Sequence, residues 1–258
     1  MRIGLQTFTV RKAFQTENDR DDTLKRLKAM GIKDLELAYI PWDERTISSL
    51  EESLPRHHMR AVSSQIKWSL IHKRFEEIMD YHRRLHIQYM AVAVIPFRRL
   101  LFGNHGLKKF AEELNTLGRA TKKHGVRLLF HHHNYEFFRF PKGLALDLLV
   151  RHLDTDCVGI LSDTYWVHRG GFHVLDFLKR YEKYIEALHL RGFHKKHDEN
   201  LLDTSMDVGS IIAYAIKQKY SYMVIEQDTK KPLTEIKKSV MRIKNEGYAS
   251  RLGGDLDV

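Results

Sequence analysis

Short apolar runs alternate along the chain with longer segments in which apolar residues recur every three or four positions. The run Val158-Gly-Ile-Leu161 is too short for a helix and is bounded by polar residues, the pattern of a strand buried on both faces. It ends on Asp163, and the Gly170-Gly171 pair and a new amphipathic segment follow. Similar strands are read at 2–8, 34–38, 59–65, 89–95, 126–133, 185–190 and 222–226. Helical spacing covers 21–30, 45–57, 73–85, 107–124, 144–153, 174–184, 208–217 and 233–246. Gly31 and Gly125 follow helices as C-caps, and Pro96 stops the fourth strand. Parallel neighbours need helical crossovers, so eight strands each followed by a helix predict a parallel sheet. In a chain of 258 residues that sheet closes best as a (β/α)8 barrel. No linker or low-complexity run divides it, so residues 1–258 are expected to form one domain with a frayed tail from 247.

Composition changes this picture little. A hydrophobic share of 43% suffices for a full core. The one cysteine, Cys157, excludes a disulfide framework, and its place before a buried strand suits packing. The amino terminus carries no signal peptide, and no apolar run approaches the roughly 18 residues of a membrane span, which predicts a soluble, cytoplasmic protein. A formal charge of +10 raises nucleic acid or acidic ligands as partners. The basic pairs, however, are scattered, as at Arg11-Lys12, Arg83-Arg84, Lys122-Lys123 and Lys237-Lys238. A solvated outer face explains them, so neither nucleic acid nor a membrane is an expected partner.

Chemistry enters at the ends of the last four strands. His131-His-His-Asn-Tyr-Glu136 closes the fifth, Asp163 the sixth, His189 the seventh and Glu226 the eighth. In a barrel these ends are adjacent and open onto the face where such folds place active sites. Each has an ordinary structural explanation: Asp163 can cap the next helix, a strand-end His can bond a carbonyl, and Glu226 can pair with a basic residue. Four in succession point instead to a divalent metal, because imidazoles and carboxylates converging on one point need a cation among them.

The motifs around these positions resemble the sugar phosphate isomerase/epimerase family, the xylose isomerase-like barrels that include inosose dehydratases, ketose 3-epimerases and the endonuclease IV group. Phe130-His-His-His-Asn-Tyr-Glu-Phe137 is similar to the family's aromatic-His-Asn-His-Asp-Phe-Glu-Phe segment, and Ser162-Asp-Thr-Tyr-Trp166 to its Asp-Thr-Tyr-Trp motif. Leu188-His-Leu-Arg191 resembles Leu-His-Leu-Lys, and Val224-Ile-Glu-Gln-Asp228 resembles Val-Glu-Gln-Asp-Glu; the likeness runs from about residue 3 to 245. It implies Asp163, His189 and Glu226 as metal ligands, with a fourth from strand five, where His131 stands in place of a frequent Glu and Glu136 lies further along. It departs at Gly192, where the family has an acidic residue, and at Asp207-Val-Gly-Ser210, where it has Gly-Glu-Gly.

The implied cofactor is a divalent ion (Mn, Zn, Mg or Co), and the implied partner a small carbohydrate or cyclitol, with a homodimer admitted. Such a site can polarise a carbonyl so that a side-chain base removes the neighbouring proton, giving isomerisation, epimerisation or dehydration. Glu36, His131, His133, Glu136 and Glu226 are the base candidates, although Glu36 could instead be the buried partner of a lysine. Gln6, Trp166 and Arg191 are the expected substrate contacts. Two other classes are weighed. An endonuclease IV-like enzyme needs more metal ligands on strands two to four, which read Val62-Ser-Ser and Val92-Ala-Val there. A non-catalytic barrel that binds a carbohydrate would have no need of the whole ligand set.

Overall fold

The computed structural model describes residues 2–252. Its eight main strands are β1 (Ile3–Gln6), β2 (Asp34–Ala38), β3 (Arg60–Ile66), β4 (Tyr89–Val92), β5 (Arg127–His131), β6 (Val158–Asp163), β7 (Ile185–Leu190) and β8 (Tyr222–Ile225). They form a closed barrel in chain order, β8 returning to pair with β1, and every pairing is parallel. The outer ring comprises α1 (Glu17–Ala29), α2 (Glu44–Arg56), α3 (Phe75–Arg84), α4 (Gly103–Lys123), α5 (Ala145–Val150), α6 (Val174–Arg180), α7 (Val208–Lys217) and α8 (Pro232–Asn245). The predicted (β/α)8 barrel is therefore the fold.

Two-residue alternation along each strand makes the inner and outer cores. Ala91, Leu129, Leu161, Ala187, Tyr222 and Val224 fill the barrel interior. Their chain neighbours Val92, Leu128, Phe130, Ile160, Leu188, Met223 and Ile225 belong to the core shared with the helices. The same alternation sets the chemistry. His131, Asp163, His189 and Glu226 each follow an interior residue by two positions, after Leu129, Leu161, Ala187 and Val224. Register then aligns them: Asp163 is level with His189, His189 with Val224, and Gln6 with Glu36. Irregularities at Leu35/Glu36 and Ile160/Leu161 shift the pairing by one residue and re-aim the strand ends.

Several boundaries differ from expectation for identifiable reasons. β1 stops at Gln6 because the Thr7 hydroxyl donates to Ala38 O (2.7 Å) and accepts from Ala38 N (2.8 Å), turning the chain into a 3-10 segment, Thr7–Ala13. β4 ends at Val92, short of Pro96, and β5 at His131, which leaves His133 in the following loop. The expected third helix starts later, after a separate short helix, Trp68–Lys73. Two hairpins were not foreseen, Arg139–Phe140 with Gly143–Leu144 and Gly192–His194 with His197–Glu199. In the expected frayed tail, Ala249–Leu252 forms a 3-10 turn with Leu252 buried, while 253–258 lie outside the described residues. Among the described residues no helix is long and apolar enough to cross a membrane.

Candidate metal centre

His131, Asp163, His189 and Glu226 meet at the carboxyl-terminal mouth of the barrel, all buried, with one potential ligand atom from each lying within 4.8 Å of the others. His189 Nδ1 stands 2.7 Å from Glu226 Oε2 and 3.7 Å from Asp163 Oδ2, without hydrogen-bond alignment in either case. His131 Nδ1, Asp163 Oδ2, His189 Nδ1 and Glu226 Oε2 are each buried and have no hydrogen-bond partner among the described residues. Unpaired polar atoms in a protein interior are costly, so four converging on one point describe a site that fits a cation.

On Asp163, His189 and Glu226 the other polar atom is satisfied, which fixes the aim of the side chain. Asp163 Oδ1 accepts the Trp166 amide at 3.0 Å and caps the short helix Thr164–Arg169. The capping and metal explanations of Asp163 are thus compatible, one for each oxygen. Glu226 Oε1 accepts from Arg191 Nη1 at 2.6 Å. Behind His189 its Nε2 lies 2.7 Å from Glu36 Oε1.

Glu36 is wholly buried and has four hydrogen-bond partners. Gln6 (2.9 Å) and His189 meet Oε1, while Ser63 (2.6 Å) and Tyr222 (2.9 Å) donate to Oε2. Burial alone would raise its pKa, but the His189 imidazole and the donors bring it below the usual carboxylate range. The lysine partner weighed from the sequence is not the arrangement found; the basic neighbour is His189. Burial likewise opposes a proton on His189, yet Glu36 and Glu226 drive its pKa well above the ordinary value.

A polar cavity of about 570 Å³ opens above this centre, and Gln6, His131, His133, Trp166, Arg191 and Glu226 are among its walls. Every expected substrate contact therefore faces the same space. Glu36 and Glu136 do not line it. His133 sits beyond the strand end with its ring against His131, centroids 4.6 Å apart. Its pKa is lowered by burial, with Glu226 and Asp163 opposing, so the ring facing the cavity is the neutral form near pH 7. His132 points the other way, its Nε2 on Ser162 Oγ at 3.0 Å and its ring beside Phe177.

Glu136 is buried and holds the His133 backbone N–H through Oε2 at 2.8 Å, while burial pushes its pKa from 4.5 to about 7. A proton bound in the folded state and absent from the unfolded one makes stability fall as pH rises through that window. Glu136→Gln is therefore expected to flatten the loss of stability between about pH 5 and 7 and to gain up to about 3 kcal/mol at pH 8. Denaturant melts across that range check this; an unchanged slope would rule out Glu136 as its source.

Asp198, Asp228, His197, Gln65 and Phe8 also line the cavity and were not foreseen. Asp198 arrives on the unforeseen hairpin and accepts from Arg191 Nε at 2.6 Å, while burial raises its pKa to about 6. Gly192 permits this hairpin, since a Cβ there would lie 2.6 Å from Glu199 O. The missing acidic residue at 192 is thus matched by a carboxylate brought back six residues later. Asp207 caps α7 by accepting the Ser210 amide at 3.0 Å. On β3, Ser63 is bound to Glu36 and Ser64 to His82 (2.8 Å), so the positions where an endonuclease would place more ligands hold internal hydrogen bonds. The other acidic grouping, Glu199, Asp203 and Glu235, is bridged by Asn200 Nδ2 and Lys238.

Known proteins are similar to this chain in sequence and in fold. The chain is 31% identical to an inosose dehydratase of Clostridium perfringens over 36% of this chain and 31% of that protein. It thus spans about a third of that relative's length. A sugar phosphate isomerase/epimerase structure from Parabacteroides distasonis superimposes with a TM-score of 0.78 at 21% identity, covering 96% of this chain and 94% of that one. A magnesium complex of a xylose isomerase-like TIM barrel protein from Mycobacterium smegmatis gives 0.74 at 12% identity, with 97% of each chain covered. At such identities both structures speak for the fold. Residues 24–245 match the family described as xylose isomerase-like TIM barrel, and the chain belongs to that family.

Proposed function

We propose that this protein is a divalent-metal-dependent sugar isomerase, epimerase or dehydratase of the cytoplasm that removes a proton beside a carbonyl of a keto-sugar or cyclitol. The observation that carries this reading is the set of four buried, converging donor atoms, none with a hydrogen bond, beneath a polar cavity. Two imidazoles and two carboxylates suit Mn, Zn, Co or Mg, and the magnesium-bound relative supports a divalent ion. Bound there, such an ion supplies Lewis acidity that acidifies the C–H next to a coordinated carbonyl.

The protein's own groups do the rest. The Gln6 and Gln65 side chains, joined at 2.9 Å, offer amides to substrate hydroxyls. Trp166 and Tyr165 wall one side, with Arg191 held 5.4 Å and 4.7 Å from their rings. His133 is the proton acceptor, since it is neutral and exposed to the cavity. Glu226 is the second candidate for that role. Glu36 positions His189, and Glu136 positions the His133 backbone; neither reaches the substrate. The Clostridium relative's name favours a cyclitol ketone among the substrates.

Incubating the metal-loaded protein in deuterium oxide with an inosose and a panel of ketoses is the test. Deuterium should enter the carbon beside the carbonyl. Turnover without that exchange points to hydride transfer and removes the mechanism. A separate check concerns Glu36: Glu36→Gln should weaken Mn²⁺ binding by about 10- to 100-fold, the usual effect of losing an outer partner of a ligand histidine. Titration calorimetry showing no change would remove Glu36 from the positioning role.

A further inference from the structure

We infer that the substrate is larger than a simple sugar and carries an apolar, preferably aromatic, substituent that lies across the half of the mouth opposite the metal centre. This rests on the carbohydrate reading of the same site. A second cavity, of about 510 Å³, opens beside the first, and the two share Phe8, Gln65 and His133 as walls. The mouth is therefore one groove with two unlike halves. Strands β5 to β8 supply the metal centre, whereas the ends of β2, β3 and β4 and the segments that follow them supply Tyr39, Trp42, Ile66, Leu70, Ala93 and Val94 to the second half.

Apolar side chains open to solvent at a cavity wall are unusual unless something covers them. Tyr39 is 65% exposed and Val94 43%. Tyr39 is also held at φ +57°, a left-handed conformation that a bulky residue adopts at a cost, and its ring meets Phe8 edge-on at 5.8 Å. Phe8 thus stands at the seam between the two halves with Tyr39 beside it in the second, two aromatic rings against which a flat group can pack. His133 and Gln65 face both halves, so a substituent on the reacting sugar can pass from one into the other. A glycoside or ether with an aryl group satisfies each condition: hydroxyls over the polar half and a ring over the apolar half.

Titration calorimetry of the metal-loaded protein with methyl and phenyl β-D-glucopyranosides tests the assignment. The phenyl glycoside should bind about tenfold tighter or more, as burial of a ring against apolar walls predicts. In Val94→Trp and in Ala93→Phe, which fill the second half from adjacent positions just after β4, the ratio of the two affinities should fall to near one. Two variants, each checked for cooperative melting, guard against a folding defect in either. Equal affinities in the unmodified protein would overturn the inference and leave the carbohydrate reading standing. A phenyl preference that survives both substitutions would place the ring elsewhere and overturn it as well. If neither glycoside binds while Mn²⁺ still does, the inference is overturned, whereas the carbohydrate reading is decided by the deuterium exchange with the ketoses.

Discussion

Asp163→Asn and Glu226→Gln should each weaken Mn²⁺ binding by well over the roughly 100-fold that marks the loss of an outer-shell partner, and activity should go with the metal. Both substitutions keep the shape and the satisfied hydrogen bond of the side chain. Asparagine still offers an oxygen to the Trp166 amide, and glutamine still offers one to Arg191. What each loses is the negative charge on the atom that has no other partner. Charge is the deciding quantity because Glu36, Asp163 and Glu226 crowd around one imidazole. Without a cation a proton on His189 balances them, which is the sense of its raised pKa. Metal must displace that proton, so Mn²⁺ affinity should fall toward acid pH and binding should release protons to the buffer. Mn²⁺ at 100 times its Kd should also stabilise the unmodified protein by about 2.7 kcal/mol, and the variants far less. An unaltered Mn²⁺ isotherm in Asp163→Asn would sink the site.

The barrel was legible because β strands buried on both faces leave contiguous apolar runs, and these lie between amphipathic helices of ordinary length. Val158–Asp163, Ile185–Leu190 and Val208–Lys217 fall at the expected residues for that reason. The meeting of His131, Asp163, His189 and Glu226 at one mouth was legible from their places at four successive strand ends. Periodicity could not show which atoms are left over once neighbours are satisfied. Glu36 illustrates the limit: its place on β2 was readable, but its four partners come from β1, β3, β7 and β8. Asp198 was hidden more deeply. Its hairpin depends on Gly192 approaching the Glu199 backbone, a contact with no hydrophobic signature. His133 was assigned to a strand that ends two residues earlier, yet the loop still turns its ring into the cavity.

His133 separates the two roles that the strand-five histidines could share. His133→Asn should lower kcat by about 10²- to 10⁴-fold, the range for a lost general base, while Mn²⁺ binding stays within a few-fold. His131→Asn should do the reverse at the first step and lose the metal, because His131 belongs to the buried group of four and His133 does not. The pH profile sharpens the distinction. Burial is the main influence on His133 and lowers its pKa below 6.5, with Glu226 and Asp163 pulling it back. A base must be unprotonated, so the acid limb of kcat should lie below pH 6.5, and a nearby cation would press it lower still. In His133→Asn that limb should disappear from the residual rate. Asparagine cannot accept the proton, but it can keep a hydrogen bond to a substrate hydroxyl, so KM should change less than kcat. Loss of Mn²⁺ from the His133 variant would make this residue a ligand. Full activity with metal bound would pass the role of base to Glu226, the remaining candidate whose carboxylate faces the cavity.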